Sequence, residues 1–574
     1  MSRLSDLLKK AKEKSAITPT VIAKEIERVH DSINIDLNVH YGIDRYGKQL
    51  VWNIEQWQFI QNCLDGKSGV LIGAAGTGKT TTMQGTVSEV LRNRHIPLMS
   101  DSHKHLPIGT PGIVFVSYTR RAVMNLKKAL PEDMKANCIT IHKLLEYAPV
   151  FYEIIDPVTN EPRNTMRFEP SRGPFKHLDS NIKIIVFDES SMVDVPLFYK
   201  VWTALPNPMN VQFLFLGDIQ QLPPIFGSAI LGFKMISLPV VELTQVYRQA
   251  LESPIIRLAH RILSGNPIPV SEFKEWKFPD QLTLHPWKKK ISADSALLTI
   301  AAFFKKGYDT QAYNPMEDMI LMPFNKACGT IELNKHIGNH IARKSGKITY
   351  EVIAGFNKHY FSEGEKVLYE KEDAEIIGIK RNPTYTGKWP QNPSNRLDYW
   401  GTVQAESNGK ESEHHIEATE DEIDEMLMRI GDADSEDRVN EASHIITVRL
   451  IDSMQIIEIK TAGDVNALLM AYALTVHKSQ GSEWRRVFLI LHQSHNTMIQ
   501  RELLYTGVTR AREELYCICE PDHFIKGIDG QRIKGNSLEE KSEFFKGKVD
   551  QGDNDLLSMI NQVNVNENIE RMKS

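Results

Sequence analysis

Gly73-Ala-Ala-Gly-Thr-Gly-Lys-Thr80, entered directly from the apolar run Val70–Ile72, decides how the rest of the chain is read. The octapeptide fits the pattern GxxxxGK[ST], a loop that leaves a strand and opens a helix. Its glycines let successive backbone N–H groups turn inward around an anion, and the following helix aims its N-terminus at the same charge. Lys79 then reaches the outer phosphates of a nucleotide and Thr80 ligates Mg²⁺. ATP and Mg²⁺ are the cofactors this predicts, with Gly73, Ala74, Ala75, Gly76, Thr77, Gly78, Lys79, Thr80 and Thr81 as the cradle. Farther along, Asp188-Glu189 closes a second apolar run, Ile184–Phe187. Such a site needs a carboxylate at the tip of a neighbouring strand to hold the metal, the role expected of Asp188 together with Thr80. A second carboxylate beside it, Glu189, can activate the attacking water.

Outward from these anchors the rhythm repeats. Ile113–Val116, Phe213–Leu216, Met319–Met322, Val487–Leu491 and Leu515–Cys519 are short, nearly continuous apolar runs that end abruptly in polar or small residues. Runs of this kind suit parallel strands covered on both faces. Helix-like stretches such as Arg120–Leu130 and Ser253–Leu263 lie between them, which predicts a doubly wound α/β architecture in two tandem sheets. Residues 146–180, rich in Pro, Arg, Asn and Gly, read as a hairpin insertion in the first unit. Residues 345–465 interrupt the second with strand-like pieces, Lys366–Tyr369, Ile445–Leu450 and Gln455–Ile459. The expected division is a 1–48 extension, a first core of 49–250, a second core of 251–344 plus 466–535, the 345–465 insertion, and a charged, Asn-rich tail from 536 to 574.

With 574 residues the chain is too long for one core. No apolar run approaches the roughly 18 residues that cross a bilayer, and Met1–Lys14 lacks the apolar stretch of a secretory signal. The five cysteines are scattered and form no CxxC pair, which fits a reducing cytoplasm better than a disulfide or zinc framework. The stretch His95–His105 offers no convincing metal-ligand spacing. A net charge of −5 looks wrong for a polyanion binder. However, residues 411–437 hold twelve acidic side chains against the single Arg429, so the remainder is net positive. Thr419 and Glu422 there suit a capping box that opens an exposed helix. Where positive charge clusters decides phosphate binding, not its total.

Seven further segments, in order, resemble the motifs of superfamily 1 helicases, specifically the branch that includes RecD and the phage Dda helicase. Asn53-Ile-Glu-Gln-Trp57 looks like the adenine-reading element, with Gln56 the contact. Val116-Ser-Tyr-Thr-Arg-Arg-Ala122 and Thr140-Ile-His-Lys-Leu144 resemble strand-gripping motifs. Gly217-Asp-Ile-Gln-Gln-Leu-Pro223 is similar to the motif coupling nucleotide to DNA, where Gln221 senses the γ-phosphate. Leu243-Thr-Gln-Val-Tyr-Arg-Gln249 resembles a motif that supplies an arginine, here Arg248. Ala473-Leu-Thr-Val-His-Lys-Ser-Gln-Gly-Ser-Glu483 is similar to the DNA- and ribose-binding motif, ending on Glu483. Leu504-Tyr-Thr-Gly-Val-Thr-Arg-Ala-Arg512 resembles the last, with Arg510 as arginine finger. The resemblance implies two RecA-like domains, a β-hairpin pin that parts the duplex through Phe151 or Tyr152, and an SH3-like β-rich insertion. It also implies Thr119, His142, Thr475 and His477 as strand contacts. Lys478 and Arg512 are equally well read as surface charges.

Physics accounts for the layout. A phosphate loop has few groups to neutralise the transferring phosphoryl, and an arginine supplied from an opposing surface contributes about 10³–10⁵ in rate. Arg248 and Arg510 lie far downstream, so a cleft that closes on ATP is expected; if each side grips a strand, closure and release move the chain along it. Leu222-Pro-Pro-Ile-Phe226 has the RecD/Dda form, which implies 5′-to-3′ translocation. The expectation is an ATP-dependent DNA helicase acting on single-stranded DNA and on single-strand/duplex junctions. It would be monomeric, cytoplasmic in a bacterial or phage-infected cell, without a membrane partner, and at work beside replication or recombination proteins. Alternatives are an RNA helicase, a non-unwinding translocase that displaces proteins, or an ATP-switched scaffold.

Overall fold

The computed structural model describes residues 40–43, 49–155, 162–224, 227–244, 253–266, 268–274, 281–287, 291–326, 328–355, 357–369, 372–387, 441–451 and 454–550. Arg248, Phe226 and the acidic stretch with Thr419 and Glu422 lie outside them.

Each apolar run becomes a strand because its side chains are buried on both faces. Six parallel strands form the first sheet in the order Val240–Leu243, Gly69–Gly73, Gln212–Gly217, Ile184–Asp188, Ile113–Ser117, Cys138–Thr140. The four central strands are fully covered apart from Asp188 at a tip. Core clusters lie on both faces, one built around Phe187, Phe198 and Phe215, the other around Phe59, Met83 and Phe115. Five more parallel strands form a second sheet in the order Leu282–Pro286, Ala511–Cys519, Trp484–Ile490, Asp318–Met322, Ala473–Thr475. Both are α/β sheets wound with helices, as the alternation of runs implies. A buried ion pair ties two strands of the second sheet: Arg486 donates from Nη2 to Asp318 Oδ2 (2.6 Å) and from Nε to Oδ1 (3.0 Å).

Other segments depart from the parallel pattern. Tyr147–Ile155 pairs antiparallel with Pro162–Pro170. At the foot of this ribbon the buried Glu146 carboxylate accepts from Lys104 N, Arg172 Nη2 and Lys176 Nζ. A third sheet is antiparallel, ordered Ile456–Thr461, Glu441–Leu450, Glu372–Arg381, Lys366–Tyr369, Leu469–Met470. Its last strand belongs to sequence beyond residue 465.

Within the charged, Asn-rich tail expected from 536, Leu538–Asp550 is a helix. It lies against helix Ile230–Ser237 of the first sheet, with Phe545 buried on Gly232 and edge-on to Phe233 at 5.3 Å. Four apolar residues, Leu538, Phe544, Phe545 and Val549, among so many charges gave too weak a periodic signal to announce it. Residues 551–574 lie outside the described set.

A candidate phosphate cleft and the face beside it

The phosphate loop has the backbone its glycines imply: Gly76 (φ 80°) and Gly78 (φ 88°) occupy the left-handed region closed to ordinary side chains. Thr77 is buried and its hydroxyl donates to Ala74 O (2.8 Å), which closes the loop. Lys79 begins the helix Lys79–Asn93 and donates from Nζ to Gly73 O (2.6 Å) and Ala74 O (3.3 Å), so its amine lies over the loop's mouth. Thr80 is exposed and Thr81 half-buried one step along the same helix.

Asp188 ends its strand opposite Ser117 of the neighbouring one. Burial first, and then repulsion from Glu189, push the Asp188 carboxyl up to about 7, against the pull of Lys79. Glu189 itself sits at φ 50°, a strained conformation for a residue with a Cβ, and turns the chain sharply into Ser190–Met192. Among the described residues, Glu189 Oε2, Gln221 Oε1, Ser117 Oγ and Ser191 Oγ are buried without a hydrogen-bond partner. All four lie at the carboxyl ends of the first sheet's strands, where ligands bind in α/β sheets. Unsatisfied buried oxygens beside an acidic pair are what a hydrated divalent cation fits, and a mouth of inward N–H groups with a lysine fits a polyphosphate. Gln56 is fully buried; its Oε1 accepts from Asn53 N (3.2 Å) in a capping box that starts helix Ile54–Leu64. Its side chain therefore has a structural duty at the place where base contact is expected.

The second sheet meets this region through side chains. Ala75 N–H donates to Tyr505 Oη (3.0 Å), and that hydroxyl donates to Asp218 Oδ2 (2.6 Å). Leu222 is held at both backbone atoms: its N–H donates to Thr506 Oγ1 (3.0 Å) and its carbonyl accepts from Gln480 Nε2 (2.6 Å). Arg510, buried, gives its hydrogen bonds within its own sheet, to Thr506 O, Ser482 O and Thr509 Oγ1. Glu483 is exposed, and its carbonyl accepts from Arg121 Nη2 (3.0 Å). The Arg121 guanidinium also lies over the Trp484 ring at 4.6 Å and 3.5 Å from Asp373 of the third sheet. Trp484 Nε1 and Lys366 Nζ reach the same Asp373 carboxylate, at 2.9 and 3.3 Å.

The four expected strand contacts divide into two places. Thr119 caps helix Arg120–Ala129, accepting from Ala122 N, and lies under Gly481 (φ 72°), where a Cβ would come 2.8 Å from the Thr119 hydroxyl. Thr475 ends its strand and accepts from Lys478 N, with the half-buried His477 two residues on. Burial holds the His477 imidazole down at about 4, so it is a neutral donor at neutral pH. These three therefore gather where the two sheets face each other. His142 stands apart, its ring between Tyr118 (5.6 Å) and Tyr147 (4.9 Å) at the root of the antiparallel ribbon. Sequence reasoning did not single out Tyr505, Asp218, Ser117 or Asp373. Tyr505 and Asp218 lay inside motifs quoted above, but nothing local marked them as partners.

Fold and site together define a P-loop nucleotide-binding protein built on two parallel α/β sheets. A family model described as an AAA domain matches residues 56–227, and one described as a UvrD-like helicase C-terminal domain matches 470–518. The RecBCD enzyme subunit RecD of Mycobacterium tuberculosis is 43% identical over 492 residues, 82% of this chain and 69% of that one. The ATP-dependent RecD2 DNA helicase of Deinococcus radiodurans is 25% identical over 449 residues, 78% of this chain and 46% of that one. Among solved structures, Pif1 helicase from Bacteroides in complex with ADP-AlF3 and ssDNA aligns with 87% of this chain and 98% of its own, at 15% identity and a TM-score of 0.44. The chain belongs to the RecD-like family of superfamily 1 helicases. It spans less than half the length of the Deinococcus relative and 40% of an uncharacterized relative from Methanocaldococcus jannaschii.

Proposed function

We propose that the protein is an ATP-dependent DNA helicase that moves 5′-to-3′ on single-stranded DNA. One observation carries the reading: the phosphate loop and the 217–222 segment of the first sheet are hydrogen-bonded to Tyr505, Thr506 and Gln480 of the second. A chemical event at the loop is thereby felt by the same elements that bear Thr475, His477 and Arg510.

In this reading Lys79 and the loop amides hold the triphosphate, Gln56 and Glu483 hold base and ribose, and Glu189 takes the proton of the attacking water while Gln221 orients it. Thr80 and Asp188 would hold Mg²⁺, which when bound neutralises charge on the phosphates. Arg510 completes the site as the cleft tightens, with Arg248 as the second arginine. Thr119, Thr475, His477 and His142 position the strand's phosphates through hydroxyl and imidazole donors, which grips without reading sequence. The boundaries read from the sequence are kept, with the 146–180 hairpin insertion as the pin and the β-rich 345–465 insertion as an SH3-like module. Partners in replication or recombination belong to the same proposal.

Strand displacement on duplexes with a single-stranded tail on one side tests it. Unwinding of the 5′-tailed duplex alone is expected; unwinding of the 3′-tailed duplex alone contradicts the polarity, and stimulation of hydrolysis only by RNA contradicts the substrate.

A further inference from the structure

We propose that Tyr505 is a positioning residue whose hydroxyl holds the second sheet on the phosphate loop until a nucleotide phosphate takes its place. The inference rests on the reading of residues 73–81 as the ATP site.

Tyr505 is fully buried on helix Arg501–Val508, the helix that leads into Arg510. Burial and the neighbouring Asp218 keep its phenol protonated far above neutral pH. Its single proton therefore goes to Asp218 Oδ2 (2.6 Å), and its lone pair receives Ala75 N–H (3.0 Å). Asp218 is fixed in turn: Oδ1 accepts from Gln220 N (3.0 Å) and its backbone carbonyl accepts from Gln221 N (3.1 Å). One hydroxyl thus connects the loop, the stretch bearing Gln221, and the helix bearing Arg510.

Ala75 N–H is one of the loop's amide donors, and it has one proton to give. A phosphate oxygen is a charged acceptor and outcompetes a phenol for it, since hydrogen bonds to ionised groups are about twice as strong. Once the amide turns to phosphate, Tyr505 keeps only Asp218, and the helix is released from the loop while still joined to the Gln221 segment. Nucleotide binding then has to break a contact, and the broken contact is the signal passed to Arg510.

Tyr505→Phe keeps the ring and removes the hydroxyl. Affinity for a non-hydrolysable ATP analogue, measured without DNA, is expected to rise about two- to tenfold, the range for one neutral hydrogen bond. In steady state KM for ATP should fall together with the DNA-stimulated kcat. A residue with only a packing role would lower the melting temperature and leave affinity unchanged or weaker; that result overturns the proposal. Asp218→Asn keeps an acceptor for Tyr505 but removes the charge, and should shift affinity in the same direction by less. An Asp218→Asn gain without a Tyr505→Phe gain also overturns it. Lys79→Ala separates the two failures. If it binds the analogue as well as the unaltered protein, the loop is not the nucleotide site; if it binds poorly while Tyr505→Phe is unchanged, only the role of Tyr505 fails.

Discussion

Polar groups at the carboxyl end of the first parallel sheet and those around Arg510, Thr475 and Asn334 beside the second are treated in opposite ways. In the first, Glu189, Gln221, Ser117 and Ser191 keep buried oxygens unsatisfied, and Glu189 is held in a strained backbone besides. In the second, Arg510 donates to three oxygens, Thr475 caps its own turn, and the Asn334 amide bridges Met470 O and Ala473 O while its oxygen accepts from Ala473 N. Each unsatisfied buried group costs about 1–3 kcal/mol, so the first sheet gives up stability where a charged ligand would restore it. Around the second, Thr283 and both oxygens of Glu520 are unsatisfied as well, but Arg510, Thr475 and Asn334 are satisfied, and under the proposed function the elements that bear them act as the lever.

Substitutions test the contrast between the two sheets. The largest effect is expected at Arg510: replacement by Ala should lower single-turnover ATP hydrolysis about 10³-fold or more, with analogue binding within a few-fold of normal. Loss of binding to the same extent would make Arg510 part of the cradle instead of the lever. Next comes Asp318→Ala, which removes both carboxylate oxygens bonded to the buried Arg486 and leaves that guanidinium Glu514 at 3.7 Å. A cost of up to about 3–5 kcal/mol should appear in the urea unfolding of the second sheet, and analogue affinity should persist in the folded range. Asp188 comes third. Its carboxyl is raised to about 7 from an ordinary 3.8, so below neutral pH it carries a proton that a metal must displace. Apparent Mg²⁺ affinity for the nucleotide complex is expected to fall roughly tenfold per pH unit below about 7 and to level off above about 8; a pH-flat titration by calorimetry would exclude Asp188 as the ligand. The smallest effect is at His477. Depressed to about 4, it stays neutral from pH 5.5 to 8, so its share of DNA affinity, a few-fold loss in His477→Ala, should not vary over that range by fluorescence anisotropy.

Much of this was legible because it is local. Val70–Ile72 with the following loop, and the run before Asp188, carry their meaning in a few consecutive residues, and the apolar runs singled out fall on parallel strands of the expected sheets, with Leu491 one residue past its strand. Short edge strands such as Cys138–Thr140 and Ala473–Thr475 are too brief to leave a pattern. The Tyr505–Asp218 bond joins residues 287 apart, and no periodicity can announce a contact made by folding. Gln56 shows the opposite limit: a motif position is recognisable, yet its reciprocal bond with Asn53 is visible only in three dimensions. The helix at 538–550 was hidden by its own charge.

The bonds from Tyr505, Thr506 and Gln480 help to join the second sheet to the first, and under the proposed function they make hydrolysis answer to a strand. Steady-state ATP hydrolysis with and without single-stranded DNA measures that directly. The rate is expected to rise at least tenfold on adding DNA and to fall to background in Lys79→Ala with DNA present. An unaltered protein that hydrolyses ATP at the same rate with and without DNA would contradict it.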